Sequence, residues 1–174
     1  KEKYEQYFGR TIIEYTLTGR TIVRHFDRYA AELKVRQILP GKYDNDDFPG
    51  YDNVKLSYSD LKRVIARKDW IAALGNQKAV YLITDKKTGK LYVGSATGEE
   101  MLLQRWSQYA ADGHGGNKKL EELVKDEGIG YVENNFQYSI LENYNGRIDD
   151  KIVLRRESWC KEVLQSRQHG YNAN

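Results

Sequence analysis

The chain has 174 residues, 40% of them apolar and 30% charged, a balance that allows a hydrophobic core in one large or two small domains. No apolar run approaches 18 residues and no secretory signal is visible, so no membrane span is expected. Cys160 is the only cysteine, which excludes an internal disulfide and a cysteine-rich zinc site and fits a reducing, cytoplasmic setting.

The chain begins at Lys1 rather than Met, which leaves room for upstream residues. A net charge of +3 does not by itself imply a nucleic-acid partner. The charge is uneven: residues 1–75 carry 14 basic against 11 acidic residues, and residues 76–174 carry 14 against 14. Four of the acids in the first segment gather at Asp44, Asp46, Asp47 and Asp52, so the rest of it is more basic than its total. Phosphate attraction and an ordinary solvated surface both fit that excess.

In chain order, Thr11–Leu17 alternates partly, Thr18-Gly19-Arg20 reads as a turn, and Thr21–Phe26 is the expected returning strand of a hairpin. Val35–Leu39 is a short apolar run that stops at Pro40-Gly41. Phe48-Pro49-Gly50-Tyr51 follows in an acidic loop, and Phe48, Tyr51 and Tyr58 are candidates to dock that loop on a core. Ser57 or Ser59 caps an expected helix carrying Leu61, Val64 and Ile65, with Trp70–Leu74 continuing it to Gly75-Asn76. Ala79–Thr84 and Lys90–Gly94 read as a hairpin around Asp85–Gly89. Helices are expected over Glu99–Ala111, ended by Gly113, and from the Asn117 cap to about Asp126. Phe136–Leu141 alternates as a third strand, and Asp149 or Asp150 caps a last helix running to about Arg167. The order β-β-α-α-β-α describes a small α/β (α+β) domain, a three-stranded antiparallel sheet flanked by helices, over residues 76–174. Residues 1–75 form an N-terminal α/β extension.

Several residues in the second segment carry chemistry together. Tyr81 and Tyr92 sit on the two hairpin strands, where packing is the ordinary reading of an aromatic. Arg105 and Tyr109 are four apart and share a helix face, and an arginine there suits a phosphate as well as it suits a surface ion pair. Glu157 lies at the edge of an apolar stripe of Ile152, Trp159, Cys160 and Val163, where a carboxylate can sit half buried beside a cleft and a hard cation would compensate its charge; a solvated helix glutamate is the ordinary alternative. The chain closes on Gly170-Tyr171-Asn172.

Tyr81, Tyr92-Val93-Gly94, Arg105 with Tyr109, Glu157 and Asn172, taken in order over residues 79–174, resemble the signature of the GIY-YIG nucleases. Two departures are conservative: Ala79-Val80-Tyr81 lacks the leading glycine, and Val93 replaces an isoleucine. The resemblance implies a metal-dependent DNA endonuclease that hydrolyses phosphodiester bonds. It implies one divalent metal, Mg2+ or Mn2+, held by Glu157, and a phosphate bound by the Arg105 fork. Tyr81 is the expected general base, or orients the water, with Arg105, Lys90 and the metal supplying the positive charge that shifts a phenol of ordinary pKa about 10. Tyr92 and Tyr109 would bond water or phosphate, Asn172 would position Glu157 or a phosphate, and Gly94 would admit a close backbone approach.

His114, in a glycine-flanked turn, is either a second base or a loop histidine capping the preceding helix. His25 and His169 have no comparable context, and three dispersed histidines do not make a zinc site. Cys160 reads as packing. On the extension, Lys62, Arg63, Arg67 and Lys68 make a basic helix. Arg63 and Arg67, with Lys90 and Arg105, are candidate DNA contacts, although packing through Leu61 and Ile65 is the favoured role of that helix. A catalytically silent nucleic-acid-binding or interaction module on the same fold is the competing class. The oligomeric state is open.

Overall fold

The computed structural model describes residues 2–16, 30–40, 46–99 and 101–173, in two compact units, Lys1–Asp46 and Asp47–Asn174. In the first unit a short helix α1 (Glu2–Glu5) precedes strand β1 (Thr11–Glu14), which pairs antiparallel with β2 (Lys34–Ile38). The described partner of β1 is thus the run around Val35. The turn Thr18–Arg20, the expected returning strand Thr21–Phe26, His25, Gly41 and Asp44 lie outside the described residues. Arg10 closes one end of the ladder, its Nε donating to the Leu39 carbonyl at 2.8 Å.

The expected division at residue 75 does not coincide with the packing, because residues 47–75 belong to the second unit. Strand β3 (Lys55–Ser57) joins its sheet, which has four strands, not three, in the order β3-β6-β4-β5. Here β4 is Gln77–Asp85, β5 is Leu91–Ala96 and β6 is Phe136–Asn145. All three pairings are antiparallel. Three residues are too few to show an alternating pattern, which is why β3 is hidden in the sequence.

Ser57 is the cap of helix α2 (Tyr58–Val64): it accepts from the Asp60 amide while Asp60 answers to the Ser57 amide, a reciprocal capping box. The expected continuous helix is instead broken, since Arg67 is extended (φ −76°, ψ 143°) and starts α3 (Lys68–Leu74). The acidic loop is docked as the aromatics suggest. Phe48 packs edge-on to Trp70 at 5.0 Å, the Tyr51 hydroxyl donates to the Ala73 carbonyl at 2.9 Å, and that of Tyr58 to the Ala110 carbonyl at 3.1 Å.

The remaining helices are α4 (Met101–Asp112), α5 (Lys118–Glu127), α6 (Ile129–Asn135), α7 (Asp150–Val163) and α8 (Ser166–His169). Asn117 caps α5 by accepting from the Leu120 amide, and Asp149 caps α7 by accepting from that of Lys151. The last helix ends earlier than expected, at Val163, and the left-handed backbone of Gln165 (φ 50°) separates α7 from α8. Alternation along β4 and β5 sends side chains to two cores. Tyr81, Ile83, Tyr92 and Ala96 join Leu61, Trp106, Tyr109 and Tyr138 on one face. Val80 and Val93 meet Val153 and Cys160 of α7 on the other.

The hairpin turn is organised by Asp85, which is fully buried. Its carboxylate accepts from the Lys87 amide (3.0 Å), the Thr88 hydroxyl (2.6 Å), and the phenols of Tyr131 (2.9 Å) and Tyr171 (2.6 Å). One acid therefore ties the turn to α6 and to the end of the chain. Burial discourages its charge, but the bonds from Thr88, Tyr171, Tyr131 and the Lys87 backbone prevail and lower its pKa. A lowered folded pKa means that the stabilisation is complete above the unfolded carboxylate value of about 4 and is lost as pH falls through the folded value. Asp85→Ala strands two phenols and is expected to destabilise the unit by about 3 kcal/mol at pH 7 in urea unfolding. The difference from the parent should shrink as pH drops below about 4. A constant difference down to pH 2 would contradict the role given to the carboxylate.

Candidate active site

β4 and β5 pair so that Tyr81 faces Gly94. A β-carbon at Gly94 would run into the Tyr81 phenol, so the glycine is what lets that ring lie across β5. On the other side, the register of β4 against β6 slips between Val80 and Tyr81, leaving Leu141 as the extra residue of a bulge. Tyr81 is fully buried, its hydroxyl 3.2 Å from that of Tyr109 and accepting from Arg105 Nε at 3.0 Å. Tyr92 completes the group, its ring 6.3 Å from that of Tyr81 and 6.4 Å from that of Tyr109.

Helix α4 delivers both Arg105 and Tyr109, as their spacing of four predicts. The guanidinium lies 5.4 Å from the centre of the Tyr109 ring. Its Nη1 donates to the Gly115 carbonyl (3.0 Å) and to Gln108 Oε1 (3.1 Å). Nε and Nη1 are thus committed, and Nη2 has no hydrogen-bond partner among the described residues. Burial opposes the positive charge, but the surrounding phenols of Tyr81, Tyr109 and Tyr92 outweigh it and hold Arg105 protonated. Arg105, Gln108, Asp112, Gly115 and Gly116 line a polar cleft of about 450 Å³.

The loop that closes this cleft depends on Gly115, where a β-carbon would come within 2.7 Å of the Tyr109 ring. Asp112 fixes the turn by accepting from the amides of His114 (2.9 Å) and Gly115 (2.6 Å). His114 Nδ1 accepts from the Gly116 amide at 3.1 Å, which gives that histidine a part in the turn itself.

Burial decides between the phenols. It pushes the Tyr81 hydroxyl far above its ordinary pKa, helped by Tyr92 and opposed by Arg105 and Tyr109. Tyr109 is raised for the same first reason. The base role expected of Tyr81 therefore meets a physical obstacle, since a fully buried phenol resists ionisation. Tyr92 retains 7% exposure, and its hydroxyl has no hydrogen-bond partner among the described residues. Lys90 places its ammonium over the Tyr171 ring, 5.7 Å from the centre, and the cation that acts on Tyr81 is Arg105.

Glu157 reaches the hairpin from α7. Its Oε2 accepts from the Ser95 hydroxyl and its Oε1 pairs with Lys161 Nζ, each at 3.0 Å, with both charged side chains largely buried. Ser95 follows Gly94 but points to the opposite face, the one lined by Val80 and Val93. The carboxylate and the Tyr81–Arg105–Tyr109 group thus flank β5 from its two sides, and they are not in direct contact. Ser95 carries no sequence signal of its own. Lys161 does, through its i,i+4 spacing from Glu157.

Asn172 does not touch Glu157. Its side-chain amide brackets Val93, Oδ1 accepting from the Val93 amide at 2.9 Å and Nδ2 donating to its carbonyl at 2.8 Å. With the Tyr171 amide donating to the Leu91 carbonyl at 2.8 Å, this covers the outer edge of β5. Lys119 holds the segment by donating to the carbonyls of Gly170 and Asn172. Asn172 therefore orders the strand that carries Tyr92 and Gly94. Arg63 pairs with Asp60 at 2.8 Å, and Arg67 with Asp47 at 2.7 Å and Asp69 at 3.3 Å, on helices anchored by Leu61, Val64 and Trp70.

No curated protein matches the chain. Among solved structures, the catalytic domain of the homing endonuclease I-TevI is similar at 27% identity, covering 56% of this chain and 98% of that one, with a TM-score of 0.44. A mutant form of the catalytic domain of the intron endonuclease I-TevI gives 28% identity over 56% of this chain and 94% of that one, also at 0.44. The family profile of the GIY-YIG catalytic domain matches residues 77–172, a span that opens at β4 and closes on Asn172. The chain belongs to the GIY-YIG nuclease family.

Proposed function

We propose that the chain is a divalent-metal-dependent DNA endonuclease that hydrolyses phosphodiester bonds. The observation that carries this reading is Arg105, a protonated guanidinium pinned by Tyr81 and Gly115 at a polar cleft, with Nη2 left for a ligand oxygen. Binding a phosphate through Nη2, rather than through a two-nitrogen fork, follows from the commitment of Nε and Nη1. Pinning the cation before substrate arrives removes the reorganisation that a mobile arginine would require.

Tyr92 is the phenol placed to meet water, because Tyr81 and Tyr109 are sealed in the core. Tyr81 orients Arg105 and acts as a positioning residue. Asn172 and Gly94 keep the strand and the ring in register.

Among the described residues no group of three or more His, Cys, Asp or Glu forms a multidentate metal site. Glu157 suits a hard cation as its single protein ligand, the remaining positions falling to water and DNA phosphate, as is common for Mg2+. Bound there, Mg2+ or Mn2+ would polarise a phosphate oxygen as a Lewis acid. Ser95 orients one carboxylate oxygen, and Lys161 occupies the other. That occupied carboxylate is also the observation favouring the second reading, a nucleic-acid-binding module without cleavage.

Three outcomes separate the readings. Glu157→Gln should abolish Mn2+ binding and lower plasmid cutting by at least about 10²-fold while DNA binding persists. Cutting at the parental rate would refute the metal assignment, and a parent that binds DNA but never cuts with Mg2+ or Mn2+ would establish the silent module. Tyr92→Phe should slow cutting by about 10²-fold with unchanged stability, whereas Tyr81→Phe strands Arg105 Nε and should also cost about 1–3 kcal/mol in unfolding. Lys161→Ala removes the competitor for Glu157 Oε1 and should tighten Mn2+ binding, read by electron paramagnetic resonance, on the order of tenfold.

A further inference from the structure

Helix α7 carries the apolar stripe visible in the sequence. Of the stripe Ile152, Trp159, Cys160 and Val163, only Cys160 is buried. Ile152 is 42% exposed, Trp159 49% and Val163 57%. The helix docks through Val153 and Cys160 instead, about 100° round its axis from Ile152. Residues 152, 156, 159 and 163 are spaced four, three and four apart, so they form one continuous outward seam. Arg156 belongs to it without bringing an unpaired charge. Its Nε donates to both oxygens of Glu142 at 3.0 Å, and its guanidinium lies over the Trp159 ring, 4.2 Å from the centre.

The charges beside the seam name the occupant. Lys151, Arg155 and Glu162 follow one flank, all three are exposed, and no side-chain partner engages any of them among the described residues. If two copies of α7 cross antiparallel about a two-fold axis between residues 157 and 158, Ile152 meets the second copy's Val163, and Arg156 meets its Trp159. In an antiparallel pair the same flanks face each other. Glu162 of each copy then falls between Lys151 and Arg155 of the other, which lie one helical turn apart. A parallel pairing would instead turn this flank toward the opposite flank of the other copy, where Val153 and Cys160 are already buried and no charge answers it. The pattern is therefore self-complementary in one orientation only, the property an isologous contact requires.

We propose that α7 is a homodimer contact in which two copies of this chain pair antiparallel through Ile152, Arg156, Trp159 and Val163, with Glu162 of each bridging Lys151 and Arg155 of the other. The contact goes beyond the nuclease reading and does not depend on it. If that reading holds, the dimer carries two cleavage sites, since each copy of Glu157 lies on the same helix as the seam but faces its own hairpin.

Sedimentation velocity of the full chain without DNA or metal, over a range of concentrations, tests the proposal apart from catalysis. The parent should shift from monomer to dimer as concentration rises. Glu162→Arg leaves the flank wholly basic, and the double variant Lys151→Glu, Arg155→Glu leaves it wholly acidic. Each should self-associate at least tenfold more weakly than the parent. An equimolar mixture of the two should restore the dimer, since every acid then faces a base. Thermal unfolding should be unchanged in both, as the substituted side chains are exposed. A parent that stays monomeric at every concentration, charge variants that dimerise as the parent does, or a mixture that fails to associate would each overturn it.

Discussion

The hydrogen bond from Arg105 Nε to the Tyr81 hydroxyl is the constraint on which the site depends. It joins the sheet to α4 inside the core, where an unpaired guanidinium or phenol would be costly. Each neighbour makes that bond possible. Gly94 vacates the space for the phenol, Gly115 vacates the space for Tyr109, and the Gly115 carbonyl takes a second guanidinium proton. The two glycines therefore act by what they omit, and the arginine reaches the cleft already held in one geometry.

The same bond distinguishes three tyrosines that look equivalent along the chain. The Tyr81 phenol that holds this half-buried arginine is itself fully buried and does not face water. Tyr92, one strand over, keeps 7% exposure and a hydroxyl with no hydrogen-bond partner among the described residues. Across β5, Glu157 is held in a comparable way by Ser95 and Lys161. The edge strand thus has a guanidinium on one face and a carboxylate on the other. Asp85, Tyr171 and Asn172 keep that strand rigid by fastening its turn and its outer edge.

Much of the fold was legible in local signals. The caps at Ser57, Asn117 and Asp149, the hairpin around Asp85–Gly89 and the helix stop at Gly113 follow from residues that satisfy orphaned backbone groups or adopt positive φ. What escaped is non-local or very short. β3 exists because β6 offers it an edge, and the α2–α3 break and the left-handed Gln165 follow no strong breaker residue. The apolar stripe on α7 is visible in the sequence, yet most of it is exposed. Periodicity reports that a face is apolar, and only the packing reports what covers it.

The order of motifs along residues 77–172 determined the family, because family membership is written in residue types and spacings. The spacing of Arg105 and Tyr109 likewise placed both on one face without any coordinates. Only the tertiary structure decided that Tyr81 and Tyr109 are fully buried while Tyr92 keeps 7% exposure, that Lys161 and Ser95 hold Glu157, and that Asn172 serves Val93 rather than the carboxylate. Those outcomes depend on burial and on the partner of each polar atom. Both are properties of segments brought together from distant parts of the chain, and neighbours in sequence do not specify them.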